Sequence, residues 1–176
     1  MGKHIALLRG INVGGNKNVD MAGLRALMTE LGYGDVKTLL NSGNVVFAAD
    51  SKPAATKIEK AITAAYGFDV TVILRTAAEL KKLVDADPFG PTATVGSRFF
   101  VGFLGLAPAA GVLARIDQAA YEPELLHVGK REIYTWLPDG LIDSPLMKEL
   151  TDKKLGVAAT WRNWNTVTKL LALASG

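Results

Sequence analysis

Apolar and polar positions follow two different periods along the chain, and the switches between them predict its secondary structure. A short apolar run from Lys3 to Arg9 predicts a buried strand. Five apolar residues then recur at the spacing of one helix face: Met21, Leu24, Leu27, Met28 and Leu31. Asp20 is suited to cap the start of this helix and Gly32 to end it.

The next segment predicts a hairpin, a second helix and a closing strand. Residues 36–40 and 45–48 flank Asn41-Ser42-Gly43-Asn44, a composition typical of a tight connection between two strands. Pro53 can begin a helix that stops at Gly67, and residues 70–74 predict a strand. Over residues 1–75 the order is that of a ferredoxin-like (split βαβ) module.

The second half repeats this order without matching residues. Residues 76–96 predict a connecting helix, begun by a capping box of Thr76 and Glu79, and then a linker. Residues 97–176 predict strands at 99–104, 125–128, 133–137 and 157–160, and helices at 108–120, from Ser144-Pro145 and at the carboxyl end. The expected fold is therefore α+β, with two ferredoxin-like modules packed together and a C-terminal helix.

Composition narrows the functional classes. Among 176 residues 49% are apolar and none is cysteine, which excludes disulfides, thiolate metal sites and a cysteine nucleophile. The apolar run near the amino end is too short for a signal peptide or a membrane span. We therefore expect a cytoplasmic protein that has no membrane partner.

The charge distribution is compatible with a phosphate-bearing partner but does not indicate a dedicated duplex binder. The net charge is +3, and residues 1–75 hold 9 basic and 6 acidic side chains, against 11 and 11 in the remainder. The excess positive charge lies in the first half, but it is far smaller than the basic surface of a protein specialised for duplex DNA.

The loop RGINVGGNKN at residues 9–18 is the first candidate for chemistry. It follows a strand and precedes a helix, so backbone N–H groups and the helix dipole could receive an anion, with Arg9 and Lys17 adding charge. The loop has neither the GxGxxG spacing nor a Walker A ending. The alternative is structural, with glycines at left-handed turns and asparagines bonded to backbone groups.

The turn at residues 41–44 is the second candidate. Ser42, Gly43 and Asn44 are residues that any turn needs. In a ferredoxin-like module, however, this turn lies near the end of the first strand. We therefore expect it beside Arg9, where the two segments could share one site.

The segment TWRNWN at residues 160–165 is the third candidate. Asn163 or Asn165 is suited to cap the last helix, and the tryptophans are large enough to pack it against a sheet. Arg162 stands beside an indole and near a helix start, a combination that binds phosphates when exposed. A buried ion pair or a stacking role for Arg162 is the alternative.

Catalytic patterns are scarce. His4 and His127 lack metal-ligand spacing, and Ser42 lacks a nucleophile elbow, so we expect neither metal nor cofactor. RNA recognition on a sheet face is not predicted either, because the central strand offers only Phe47.

Residues 7–47 and 160–173, together with IYTWLPDG at 133–140, resemble the DUF1697 family, a bacterial group with no established function. The resemblance implies two ferredoxin-like modules. It also singles out a set of signature positions: Arg9, Asn12, Gly14, Gly15, Ser42, Gly43, Asn44, Arg162, Asn163, Trp164 and Asn165.

Three hypotheses follow. In the first, the three candidate segments converge as a binding module for phosphate, a nucleotide or nucleic acid, using Lys17 and the signature positions. In the second, the chain is an enzyme acting on a phosphorylated or nucleotide substrate. In the third, the signature residues lock the modules together, and the partner is another protein or a second copy in a homo-oligomer.

Overall fold

The computed structural model describes all residues from 1 to 176, with eight strands and six helices. The elements of the first half follow in this order: β1 (Gly2–Leu8), α1 (Met21–Glu30), β2 (Gly34–Leu39), β3 (Asn44–Ala49), α2 (Ala55–Tyr66), β4 (Val72–Thr76) and α3 (Ala77–Ala86). Those of the second half are β5 (Phe99–Leu104), β6 (Leu125–Val128), β7 (Glu132–Trp136), α4 (Pro145–Lys148), α5 (Asp152–Leu155), β8 (Ala159–Asn163) and α6 (Trp164–Ser175).

The chain divides into two compact units. The first comprises Met1–Val84 and Lys169–Gly176, and the second comprises Asp85–Thr168. Each unit contains one four-stranded antiparallel sheet, which confirms the α+β class. None of the helices has the length and apolar character needed to cross a membrane.

In the first unit the strand order is β2-β3-β1-β4, so the two central strands are β3 and β1. The register pairs Leu7 with Asn44 on one side of β1 and Leu8 with Val72 on the other. The last residues of β1 therefore lie beside the first residues of β3 and β4. The loop that follows β1 and the turn that precedes β3 lie at this same end of the sheet.

Local signals explain the predicted first helix. The Asp20 side chain accepts from the backbone N–H of Gly23, and Gly32 takes the left-handed conformation (φ 94) just after the helix. Leu24 and Met28 are buried beneath it. They belong to the core that joins both helices to one sheet face: Ala6, Leu8, Ile11, Val19, Leu24, Met28, Tyr33, Val45, Phe47, Ala49, Ile58, Ile62, Val70 and Val72.

The second unit has the strand order β6-β7-β5-β8. Its two short helices, α4 and α5, pack their leucines on the sheet, and each begins at a side-chain cap, Ser144 and Thr151. One core cluster results: Leu104, Leu126, Ile133, Leu137, Leu146, Leu150, Leu155 and Ala159.

The predicted helix at residues 108–120 is wrong. The structure has turns there, followed by a single 3₁₀ turn at Gln118–Tyr121. Gly111 sits in the left-handed region (φ 86), a conformation that an α-helix does not contain. Leu113 and Ile116 still pack against the core. Their spacing of three residues is the same as on one face of a helix, and for this reason the apolar pattern predicted one.

Candidate ligand-binding site

The loop after β1 and the turn before β3 lie side by side, as the sequence predicted. The backbone N–H of Leu8 donates to the carbonyl of Gly43 at 2.8 Å, and Asn12 Nδ2 donates to the carbonyl of Asn41 at 2.7 Å. We call residues 9–18 and 40–43 together the loop rim. The Asn12 bond joins its two halves directly, and the Leu8 bond fixes the turn to the end of β1.

The first half of the loop rim is itself a small hairpin. The N–H of Asn12 donates to the Lys17 carbonyl (3.1 Å), and the N–H of Asn16 donates to the Val13 carbonyl (3.0 Å). Gly14 and Gly15 form its exposed tip with φ of 59 and 77. Two successive positive φ values are what a type I′ turn requires, which explains the glycine pair.

Asn12 is the clamp of this hairpin. Its Oδ1 accepts from the N–H of Val19 at 2.8 Å, and its Nδ2 donates to the carbonyls of Val19 and Asn41 at 2.9 and 2.7 Å. Its backbone is left-handed (φ 55), a conformation that asparagine tolerates better than most residues. The full hydrogen-bonding capacity of this amide nitrogen is used within the protein.

The turn is held by its own signature residues. Asn44 is completely buried, and its Nδ2 donates to the Leu39 carbonyl (2.7 Å) and to Ser42 Oγ (2.9 Å). Gly43 has φ 90, and a Cβ there would lie 2.7 Å from Leu8 Cβ. Gly43 and Asn44 therefore stabilise the turn, whereas Ser42 is exposed.

Two cationic side chains are exposed on the loop rim. Arg9 directly follows β1, where its N–H donates to the Thr71 carbonyl at 3.0 Å. Lys17, with φ 50, places Nζ 2.9 Å from the Asp69 carbonyl. An ammonium group has three donors, so this bond positions Lys17 without exhausting it.

The start of α1 does not offer an anion site. The Asp20 carboxylate already accepts from Gly23 N–H at 2.7 Å, and its negative charge disfavours an anion at the same helix terminus. An open cleft of about 400 Å³ lies here instead. It is lined by Asn12, Asn18, Val19, Asp20, Met21 and Asn41.

The third predicted segment belongs to the second unit, where Arg162 is only 8% exposed. Its strand, β8, runs to Asn163, three residues beyond the predicted end. Arg162 Nη1 donates to Thr160 Oγ1 (2.8 Å) and to the Trp161 carbonyl (2.9 Å). Burial lowers the pKa of its guanidinium to about 10.

The residues after Arg162 build the junction between β8 and α6. Asn163 Oδ1 accepts from the N–H of Thr166 at 2.9 Å, which confirms it as the predicted helix cap. The Trp164 indole stacks on Phe99 with ring centroids 4.2 Å apart. Asn165 is exposed, but its side chain lies against Gly96, where a Cβ would clash with it.

A second open cleft holds none of the predicted site residues. It measures about 540 Å³ and runs along α2, where its lining includes Glu59, Lys60, Thr63 and Asp69. Glu59 Oε2 accepts from the N–H of Val72 at 2.9 Å, and Thr63 Oγ1 contacts Asp69. No group of three or more histidine, aspartate or glutamate side chains is arranged to hold a metal ion.

Two apolar side chains of the loop rim escaped sequence reasoning. Val13 is 66% exposed and Leu40 is 56% exposed, and Leu40 is left-handed (φ 60). Asn18 and Asn41, whose amides line the cleft, lie within the two candidate segments but were not singled out as site residues. Hydrophobic periodicity gives no signal for such residues, because each stands alone in a loop rather than within a repeating pattern.

Comparisons with known proteins agree with the family resemblance. A family model described as a protein of unknown function (DUF1697) matches residues 1–134. A solved structure, the conserved bacterial protein SP0830 from Streptococcus pneumoniae, is similar with a TM-score of 0.69 at 24% identity. The alignment covers 98% of each chain, which shows a common fold. No curated protein matches the chain.

Proposed function

Because the chain belongs to the DUF1697 family, whose function is unknown, we propose a function from the geometry of the loop rim: the chain is a binding module for a phosphate-bearing ligand. The observation that carries the proposal is the hydrogen bond from Asn12 Nδ2 to the Asn41 carbonyl (2.7 Å). It holds together two loops that are far apart in sequence. Arg9 and Lys17 are presented on that fixed support.

Preorganisation is the physical advantage of this arrangement. A loop that is ordered before binding loses less conformational entropy when a ligand arrives. Asn12, Gly43 and Asn44 contribute to binding in this way, since their contacts lie within the protein. The groups we assign to the ligand are the exposed side chains of Arg9 and Lys17 and the exposed tip at Gly14 and Gly15.

For the segment at residues 160–165 we propose the structural role. Arg162 is buried, Asn163 caps α6, and Trp164 stacks on Phe99. The Arg162 bonds lie within β8, the Asn163 cap joins β8 to the start of α6, and the Trp164 stack joins that start to β5. The segment then stabilises the fold, and the phosphate-bearing ligand is bound by the loop rim alone.

We also propose that each unit is a ferredoxin-like module. Support comes from the strand orders, β2-β3-β1-β4 and β6-β7-β5-β8, which correspond strand for strand. In the first unit α1 and α2 are the two crossover helices. In the second, α4 and α5 replace one helix, and irregular chain replaces the other.

A thermal-shift screen tests the binding function. The purified protein is heated with inorganic phosphate, mononucleotides, dinucleotides, and short DNA or RNA strands, at low and at moderate salt. A ligand at 100 times its Kd stabilises the folded state by about 2.7 kcal/mol. For a chain of this size that raises Tm by roughly 5 to 10 °C.

The matched variants are Lys17→Gln and Lys52→Gln. Lys52 is also an exposed lysine of the first unit, but it follows β3 and so lies at the opposite end of the sheet. We expect the ligand-dependent shift to fall in Lys17→Gln and to persist in Lys52→Gln. Absence of a shift with every ligand would leave the binding proposal without support and favour the interaction role.

A further inference from the structure

We infer that the ligand of the loop rim is single-stranded nucleic acid, whose unpaired bases contact Leu40, Val13 and the amide-lined cleft while its phosphates contact Arg9 and Lys17. The inference rests on the proposed function and specifies its ligand class. Four observations support it.

The first observation is the exposure of Leu40 and Val13. These side chains are 56% and 66% exposed, and they neighbour Asn41 and Asn12, the pair whose hydrogen bond joins the loop rim. Leu40 is also held at φ 60, which is uncommon for a leucine and costs about 1 kcal/mol or more. More than half of each side chain is open to solvent. An apolar face of a ligand would cover both side chains.

The second observation is the chemistry of the cleft beside them. Asn18, Asn41 and Asp20 line it, and no lysine or arginine does. Amides supply both donors and acceptors, and a carboxylate accepts from amino groups. A phosphate is poorly served by such a lining, whereas the polar edge of a nucleobase carries the complementary groups.

The third observation is the separation of charge from these groups. The cations of the loop rim are Arg9 and Lys17, and neither lines the cleft. A nucleic-acid strand has the same division, since its phosphates and bases project from different sides of the sugar backbone. Charge complementarity therefore favours a strand over inorganic phosphate, which would leave the apolar and amide groups uncovered.

The fourth observation concerns the sheet faces, which are the alternative surface for base stacking. The sheet aromatics are taken up by the cores: Phe47 and Phe103 are at 0% exposure and Phe99 at 1%, while the partly buried Phe100 and Trp161 pack against the core of the second unit. Base contacts must then come from the loops. A duplex would present phosphates but hide the faces of its bases, so Leu40 and Val13 favour a single strand.

Fluorescence anisotropy with a labelled single strand of about 12 nucleotides tests the inference, since such a strand can occupy one small binding surface. The same length of duplex and a labelled mononucleotide serve as comparison ligands, each titrated at several salt concentrations. The variants are Lys17→Gln and Leu40→Asn. Their matched controls are Lys52→Gln and Leu106→Asn, since Leu106 is an exposed leucine (71%) of the second unit.

We expect the wild-type protein to bind the single strand at least tenfold more tightly than the duplex. Lys17→Gln should lower the slope of log affinity against log salt by about 0.7, the value for one phosphate contact on a single strand. Leu40→Asn should weaken binding by about fivefold without changing that slope, because it removes an apolar contact rather than a charge. Both controls should bind as the wild type does.

Other outcomes separate this inference from the proposed function. Equal affinity for duplex and single strand, or an unchanged affinity in Leu40→Asn, would overturn the base-contact inference. Binding of the mononucleotide alone, lost in Lys17→Gln, would overturn it while leaving the phosphate-binding function intact. Failure of all three ligands to bind would overturn the inference, and it would overturn the proposed function as well if inorganic phosphate and dinucleotides also leave Tm unchanged in the thermal-shift screen.

Discussion

Arg75 and Arg162 occupy equivalent positions in the two units. Each is the fourth residue of a five-residue edge strand, and each donates Nη1 to the carbonyl of the preceding residue at 2.9 Å. Arg75 pairs with Ile5 of β1, and Arg162 pairs with Val101 of β5. Both are buried, at 4% and 8% exposure.

The residues after the two arginines also correspond. Thr76 Oγ1 accepts from the N–H of Glu79 at 3.0 Å, and Asn163 Oδ1 accepts from the N–H of Thr166 at 2.9 Å. Each strand therefore passes into a helix through a cap three residues before its bonded N–H. Inward-facing charges on an edge strand also disfavour β-pairing with a strand of another chain. Both arginines can protect their sheet edges in this way.

Arg162→Ala should destabilise the protein by about 3 kcal/mol, because it removes a buried guanidinium and leaves polar groups in the interior without their partner. Thermal denaturation measures the loss. Arg25→Ala is the control, since Arg25 is exposed and its bond to Thr38 Oγ1 contributes about 1 kcal/mol or less. A stable Arg162→Ala variant that no longer shows a ligand-dependent shift would instead mean that Arg162 contacts the ligand.

Gly43→Ala and Gly14→Ala should differ strongly in their effect. Both glycines have positive φ, 90 and 59, so each alanine introduces backbone strain of about 1 kcal/mol. At Gly43 the new Cβ would also lie 2.7 Å from Leu8 Cβ and 2.8 Å from Ile11 Cδ1, whereas nothing lies within 4 Å at Gly14. We expect a loss of about 3 kcal/mol or more at Gly43 in urea denaturation. Equal losses at both positions would contradict the steric argument.

The sequence was a good guide where one local rule decided the structure. Helix α1 combines a helical apolar period with the Asp20 cap, and the succession of strands and helices in the first half was predicted from the change of apolar period. The contact between the loop after β1 and the turn before β3 then followed from topology alone. Asn163 was one of two caps considered, and the structure selects it.

Sequence reasoning failed where the outcome depended on tertiary contacts. The segment 108–120 has helical spacing, but Gly111 is left-handed and the backbone turns. Arg162 lies in a strand, where alternating residues point to opposite faces of the sheet. The sequence pattern does not tell which of these faces is covered by other parts of the protein. Leu40 is a single residue in a turn, so no periodic signal marks its exposure.

Stability at high pH should depend on Tyr134. This tyrosine is buried, and burial together with the negative charges of Glu132 and Asp87 raises its pKa from 10.0 to about 12. Between these values the unfolded chain loses the phenolic proton and the folded protein keeps it. The contribution of Tyr134 to stability is therefore present below pH 10 and is lost as the pH rises towards 12.

The measurement compares the wild type with Tyr134→Phe, because Arg162 acts in the opposite direction over the same pH range. The pKa of Arg162 is lowered to about 10 by burial, so its contribution rises as the folded protein releases that proton. Arg162 is present in both proteins, so its contribution cancels in the difference between their free energies of unfolding at each pH. We expect the wild type to lose stability relative to Tyr134→Phe above pH 10, and parallel curves would show that Tyr134 ionises normally.

Leu40→Asn should stabilise the protein while weakening its binding to a single strand. Asparagine tolerates the left-handed region better than leucine, and it exposes less apolar surface at a position that is 56% open to solvent. We expect a gain of about 0.5 to 1 kcal/mol, seen as a rise in Tm of roughly 1 to 4 °C.

The control is Leu106→Asn, because Leu106 is an exposed leucine without positive φ; this change should leave Tm within about 1 °C of the wild type. A leucine retained at the cost of stability is what a binding role predicts. Loss of stability in Leu40→Asn would show instead that Leu40 supports the fold of the turn.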